Sequence, residues 1–232
     1  MSIRSTTPWK VLIFDWDGTL MDSEARIVNC LRAACLHYDL PDQHPDAYKN
    51  IIGLGLREAL RGLHPQTSDE HIENVAQHYR HEYLYNNATP SKLFDGASEM
   101  LDTLEQKGYW LAIATGKGRE GLDQVLQQTS LQHRFHTTRC ASETRSKPHP
   151  QMLEEILDQL GLQASDALMI GDTEYDMEMA RNINMDALAV SYGVHTIDRL
   201  MKYKPVACVD NIAQLQNFLL NQLSTKKVSI HE

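Results

Sequence analysis

Five short apolar runs, spaced along the chain and separated by helical patterns, constrain this sequence more than any other feature. They are Val11 to Phe14, Trp110 to Ala114, Ala167 to Ile170, Ala187 to Val190 and Val206 to Val209. A continuous apolar run of this length suits a strand buried on both faces. A weaker run lies at Phe135 to Arg139. Between the runs, Leu101 and Leu104 lead to Gly108, Leu122, Val125 and Leu126 share a face, and Met152, Leu153, Ile156, Leu157 and Leu160 form a stripe that stops at Gly161. Strand alternating with helix predicts an α/β chain with a parallel sheet covered on both faces.

The stretch from Ser23 to Asn87 breaks this rhythm. It has no strand-like run. Ile27, Leu31, Ala34, Cys35 and Tyr38 make one helical face, and Ile72, Val75, Ala76, Tyr79 and Tyr83 another. Thr67 and Glu70 have capping-box spacing before the second. Shorter helices are expected at Asp46 to Ile52 and Leu56 to Leu63. The expected organisation is a core of residues 1–20 and 90–223, an all-helical insert at 21–89 and a frayed tail at 224–232. Gly18 to Asp22 and Asn86 to Gly96 are the expected hinges.

The chain has 232 residues and is 42% hydrophobic, enough to bury a core. Its formal net charge of −9 disfavours non-specific nucleic-acid binding, which depends on neutralising phosphates. Met1 to Lys10 is polar and the next apolar run is too short for a signal or membrane segment, so a cytoplasmic protein with no membrane partner is expected. Cys30, Cys35, Cys140 and Cys208 form no Cys-x-x-Cys pair and read as reduced thiols. His78 and His81 near Glu82 lack the spacing of the zinc-hydrolase helix. Nothing argues against a monomer, and the oligomeric state stays open.

The polar motifs sit where apolar runs end, the place where ligands bind in parallel sheets. The first run ends in Asp15-Trp16-Asp17-Gly18-Thr19. Residues at i and i+2 share a strand face, so two carboxylates are expected side by side. They repel unless a cation joins them, and magnesium is the natural oxygen-loving cation. The second run leads into Thr115-Gly116-Lys117-Gly118, where a hydroxyl and free N–H groups suit a phosphate oxygen. Thr115 reads equally well as a helix cap. Lys147 lies in Ser146-Lys147-Pro148-His149-Pro150, a turn stiffened by two prolines. The run at Ala167 ends in Gly171-Asp172-Thr173-Glu174-Tyr175-Asp176, and Asp172 alone reads as a helix cap. With Asp15 and Asp17 it completes an acidic cluster that needs a metal.

Taken in order, these motifs resemble the haloacid dehalogenase-like hydrolase superfamily, specifically its phosphoglycolate-phosphatase-like branch. The resemblance runs from Val11 to about Leu223. It implies a Rossmann-like core with a small helical cap inserted after the first strand. It also implies a magnesium-dependent phosphatase acting on a small phosphorylated metabolite, phosphoglycolate-like or a sugar phosphate, through an aspartyl-phosphate. In that scheme Asp15 is the nucleophile and Asp17 the general acid and base, with neighbouring carboxylates helping Asp17 to hold its proton. Thr115, the Gly116 backbone and Lys147 hold phosphate. Asp15, the Asp17 carbonyl, Asp172 and, in support, Asp176 hold Mg2+. Dehalogenating and phosphonate-cleaving relatives lack an acid at the position of Asp17, which favours phosphoryl transfer here.

Trp16 departs from the usual aliphatic residue and is expected to pack under the cap. Gly116 stands where many relatives carry Asn. Arg57, just after Gly53-Leu54-Gly55-Leu56, is expected either to reach a second anionic group on the substrate or to stay in solvent. The competing readings are a sugar-phosphate mutase of the same fold, a pyrophosphatase, and a non-catalytic interaction module.

Overall fold

In the computed structural model, residues 9–224 are described. The expected frayed tail therefore lies outside the described residues, apart from Ser224, which ends the last helix.

The chain begins with β1 (Val11–Phe14) and a two-residue β2 (Met21–Asp22). Four helices follow: α1 (Glu24–His37), α2 (Pro45–Asn50), α3 (Leu56–Leu63) and α4 (Asp69–His81), the last running into a π-helical turn at Glu82–Asn86. A second two-residue strand, β3 (Lys92–Leu93), leads to α5 (Ala97–Gln106), β4 (Trp110–Thr115), α6 (Arg119–Thr129), β5 (Thr137–Cys140) and α7 (Gln151–Leu160). The remainder is β6 (Ala167–Gly171), α8 (Glu174–Arg181), β7 (Asp186–Val190), α9 (Ile197–Leu200), β8 (Ala207–Val209) and α10 (Ile212–Ser224).

The sheet has six parallel strands in the order β5-β4-β1-β6-β7-β8. β1 lies between β4 and β6, with Phe14 opposite both Ile113 and Ile170. The strand order reverses there, which opens a crevice at the carboxyl ends of these three strands.

The two faces of β1 explain its unbroken apolar run. Leu12 and Phe14 join a cluster with Met100, Leu101, Leu122 and Leu215 from α5, α6 and α10. Val11 and Ile13 join another with Met152, Ile156 and Met179 from α7 and α8. Successive side chains thus feed opposite layers, and both layers are apolar. The helices between β2 and β3 have a cluster of their own, built on Leu31, Tyr48, Leu60, Ile72 and Val75.

Several local expectations are corrected. The α4 cap is Ser68, whose hydroxyl accepts from His71 N–H, not Thr67 with Glu70. Residues 21–22 and 92–93, within the expected hinge segments, also pair as an antiparallel ribbon. Two residues are too short a run for period-two alternation to register. Trp16 is fully buried in the sheet's own core, edge-on to Phe135 at 6.4 Å, rather than under the helical insert.

Candidate active site

The crevice gathers residues far apart in sequence. Asp15 follows β1 and its N–H donates to Ile170 O at 2.9 Å, which ties it to the end of β6. Lys147 Nζ reaches across to lie 2.8 Å from Asp15 Oδ1 and donates to Asp176 Oδ1 at 2.7 Å. The Lys147–Pro148 peptide bond is cis. Asp172, at the mouth of β6, accepts from Thr19 Oγ1 and from Val194 N–H, both at 2.8 Å. Asp176 belongs to the first turn of α8, where it accepts from the N–H and hydroxyl of Thr173 in a capping box. The cap of α8 is therefore Thr173, which leaves Asp172 free of that duty. Gly18 adopts φ +80°, and a Cβ there would lie 2.2 Å from Asp172 Oδ2. That turn must be glycine for the two acidic segments to meet.

Carboxylate oxygens of Asp15, Asp172 and Asp176 lie within 4.8 Å of one another, all buried. With one lysine among them, the formal charge is −3 + 1 = −2. Burial pushes the Asp15 carboxyl up to about 7, with Lys147 opposing the rise and Asp176 adding to it. Asp172 is raised well above the carboxylate range, first by burial and then by Asp15 and Asp176. Burial works against the Lys147 ammonium, yet Asp15 and Asp176 hold its pKa above the ordinary value. Among the described residues, the Asp15 oxygens have no polar partner other than the Lys147 ammonium beside Oδ1. An anionic cluster with unsatisfied oxygens, surrounded by hard oxygen donors, fits a divalent cation such as Mg2+.

Asp17 lies outside this trio but lines the same cavity as Asp15. Its Oδ1 accepts from Ser23 Oγ at 2.6 Å and from Lys117 Nζ at 2.9 Å. Carboxylates were expected as the neighbours that matter to Asp17, but its hydrogen bonds come from a hydroxyl and an ammonium. Asp17 meets an ammonium, while its own charge still adds to the rise at Asp15. Lys117 and Ser23 are the site residues that sequence reasoning passed over. The available signal was a second buried-turn lysine facing a second carboxylate, two positions after Thr115.

Thr115 is buried and its Oγ1 accepts from Lys117 N–H at 3.2 Å. The residue capping α6 is Gly118, not Thr115. At Gly116 a Cβ would lie 2.6 Å from the carbonyl oxygens of both Gly53 and Leu54. The helical insert lays its backbone on this spot, which explains why no side chain is present. Nearby, Gly55 N–H donates to Ser146 Oγ at 2.7 Å. Gly116→Ala is expected to lower kcat about tenfold by keeping the insert from seating, with thermal stability little changed; unaltered kinetics would mean the contact yields without cost.

A cavity of about 610 Å³ opens over Asp15 and Asp17, with Ile52, Leu54, Tyr79 and Tyr83 among its apolar wall. Arg57 lines it too, but its guanidinium is paired with Glu73 at 2.6 Å and its side chain is 62% exposed.

Residues 12–190 match the haloacid dehalogenase-like hydrolase family. The chain is 32% identical to a protein named probable phosphatase IndB from Dickeya dadantii, over 94% of this chain and 98% of that one. It is 29% identical to a phosphoglycolate phosphatase of Pasteurella multocida, over 92% and 99% of the two chains. The fold superposes on a hydrolase from Pseudomonas syringae with a TM-score of 0.84 at 24% identity, covering 92% of this chain and 99% of that one. The chain belongs to the haloacid dehalogenase-like hydrolases. Within that family it is a phosphoric monoester hydrolase of the phosphoglycolate-phosphatase-like branch. Among the described residues no helix is long and apolar enough to cross a membrane. All four cysteines are unpaired.

Proposed function

We propose that this phosphatase is Mg2+-dependent and hydrolyses a small phosphorylated metabolite, phosphoglycolate-like or a sugar phosphate, through an aspartyl-phosphate on Asp15. The observation that carries the reading is the cluster of three buried carboxylates, Asp15, Asp172 and Asp176, whose oxygens lie within 4.8 Å of one another around the single ammonium of Lys147.

An oxygen of Asp15 bonds to phosphorus as the bond from phosphorus to the leaving oxygen breaks. Asp17 gives the leaving oxygen its proton, then takes one from the water that attacks the aspartyl-phosphate. Lys147, the Thr115 hydroxyl and the backbone N–H of Gly116 hold phosphate oxygens and offset their charge. The metal would be held by Asp15, Asp172 and the Asp17 carbonyl, with Asp176 in support. When bound, Mg2+ supplies positive charge that lets a carboxylate approach a phosphate dianion. Arg57 is the proposed contact for a second anionic group at the far end of the substrate. Its exposed pair with Glu73 is weak enough to yield to such a ligand.

The test is phosphate release from an aryl phosphate, in chelator and after Mg2+ is restored, followed by a panel of metabolites. Activity is expected only with the metal, and full turnover in excess chelator would overturn the metal assignment. A requirement for a bisphosphate, with no net phosphate release, would turn the reading toward a mutase.

Thermal melts give an activity-free check. The folded pKa of Asp15, about 7, lies above its ordinary 3.8. This group therefore destabilises the metal-free fold progressively as pH rises through that interval, and has no effect below it. Mg2+ relieves the penalty, so the rise in Tm it produces should be larger at about pH 7.5 than at about pH 5. Equal rises at both would remove Asp15 from the ligand set.

A further inference from the structure

Lys117 has no task in the scheme above, yet it is one of two buried lysines in the crevice. Its Nζ donates to Asp17 Oδ1 and to the Tyr83 hydroxyl, each at 2.9 Å, and lies 4.4 Å from the centre of the Tyr83 ring. Tyr83 belongs to the π-helical turn that ends the helical insert. Ser23, just before α1, donates to the same Asp17 oxygen. Both hydrogen bonds fall on Oδ1, and among the described residues none falls on Oδ2. Burial opposes the Lys117 ammonium, but Asp17 and Tyr83 hold its pKa above the ordinary value. The lysine is held between Asp17 and Tyr83.

We infer that Lys117 is a positioning residue for Asp17: with Ser23 it anchors Oδ1 so that Oδ2 alone meets the leaving oxygen, and Tyr83 makes this aim depend on the seated insert. The inference rests on the acid–base role proposed for Asp17. In the first step the proton on Oδ2 passes to the leaving oxygen, the phosphorus–oxygen bond breaks and Asp15 bonds to phosphorus. Asp17 is left as an anion beside the Lys117 ammonium, in a buried setting where that attraction is strong. In the second step a water proton passes to Oδ2, the water oxygen bonds to phosphorus and the Asp15–phosphorus bond breaks. A carboxylate free to rotate would meet each proton less often. The insert thereby controls the acid as well as the cavity. With the insert displaced, Lys117 loses Tyr83 and one of the two contacts that hold its Nζ over Asp17.

The experiment compares Lys117→Met, Tyr83→Phe, Asp17→Asn and the double variant Asp17→Asn/Lys117→Met by single-turnover kinetics. Substrates are an alkyl phosphate, whose leaving group needs a proton, and p-nitrophenyl phosphate, whose leaving group does not. Lys117→Met should slow the alkyl phosphate about 30-fold or more and the aryl phosphate less than about fivefold, with inhibition by inorganic phosphate unchanged. Tyr83→Phe should show the same pattern, weaker. In the Asp17→Asn background, Lys117→Met should change the residual aryl rate less than about twofold, because Lys117 acts through Asp17. Equal losses on both substrates with weakened phosphate inhibition would make Lys117 a phosphate ligand and overturn the inference. So would wild-type kinetics in Lys117→Met, or full additivity in the double variant. If Lys117→Met does not fold, Tyr83→Phe and Lys117→Arg decide, and the inference is overturned if neither slows the alkyl phosphate more than the aryl phosphate. If Asp17→Asn itself spares the alkyl phosphate, the acid–base role fails first, and that result is distinct from a failure of Lys117 alone.

Discussion

Asn in place of Asp15 is expected to leave less than about a thousandth of wild-type turnover, since covalent catalysis then has no nucleophile to begin it. Asn keeps the shape of the side chain and removes its charge. The same substitution should raise the Tm of the metal-free protein. Asp15 is a buried carboxylate whose pKa is pushed up to about 7, so ionising it at neutral pH costs stability that Asn does not lose. It should also shrink the Tm gain on adding Mg2+. Turnover, metal-free Tm and the metal-induced shift thus move in three specified directions. Retention of more than about a tenth of the activity would remove Asp15 from the role of nucleophile.

Lys147→Met is expected to cost both stability and rate. The lysine is fully buried and lies 2.8 Å from Asp15 and 2.7 Å from Asp176. Removing one partner of such a network leaves uncompensated charge, at about 3–5 kcal/mol, or roughly 10 °C in Tm for a chain of this size. The metal-free protein should show the full loss, and Mg2+ should recover part of it, because the cation takes over some of the neutralisation. Turnover with saturating Mg2+ should still fall about a hundredfold or more, for want of a cation on the phosphate. Thermal melts with and without Mg2+, beside kcat, check both. A variant as stable as wild type in chelator would show that the three carboxylates do not need this lysine.

Much of this was legible in the sequence because the sheet is buried on both faces. Val11 to Phe14 had to be apolar throughout, and polarity could return only at Asp15, where the strand emerges. The strand-end rule then carried the eye to Thr115 and Gly171-Asp172. The partners of Asp17 were hidden for a different reason. Ser23 and Lys117 meet it across separations of 6 and 100 residues, and Tyr83 meets Lys117 across 34. No periodicity links them, and only the seating of the insert brings Tyr83 to Lys117. Gly116 shows the same limit. Its missing side chain answers to the carbonyls of Gly53 and Leu54, which belong to another part of the chain. Ser68 in place of Thr67 as the α4 cap is a one-residue ambiguity that neighbouring hydroxyls always leave.

The ribbon of β2 and β3 pairs Met21 with Leu93 and Asp22 with Lys92. The chain therefore departs toward the helical insert and comes back at the same seam. In engineering terms the insert is a cassette. A short turn joining residue 22 to residue 92 would excise it without cutting any of the six parallel strands. Asp15, Asp17, Thr115, Lys117, Lys147, Asp172 and Asp176 would all remain, while Ser23, Tyr83 and the Gly53–Leu54 backbone would be gone. What is left keeps the buried carboxylate cluster but loses two of the groups that hold Asp17 and Lys117 in place. By the same geometry a different cassette, spliced at this seam, would have to supply a hydroxyl for Asp17 and a partner for Lys117 as well as a new cavity wall.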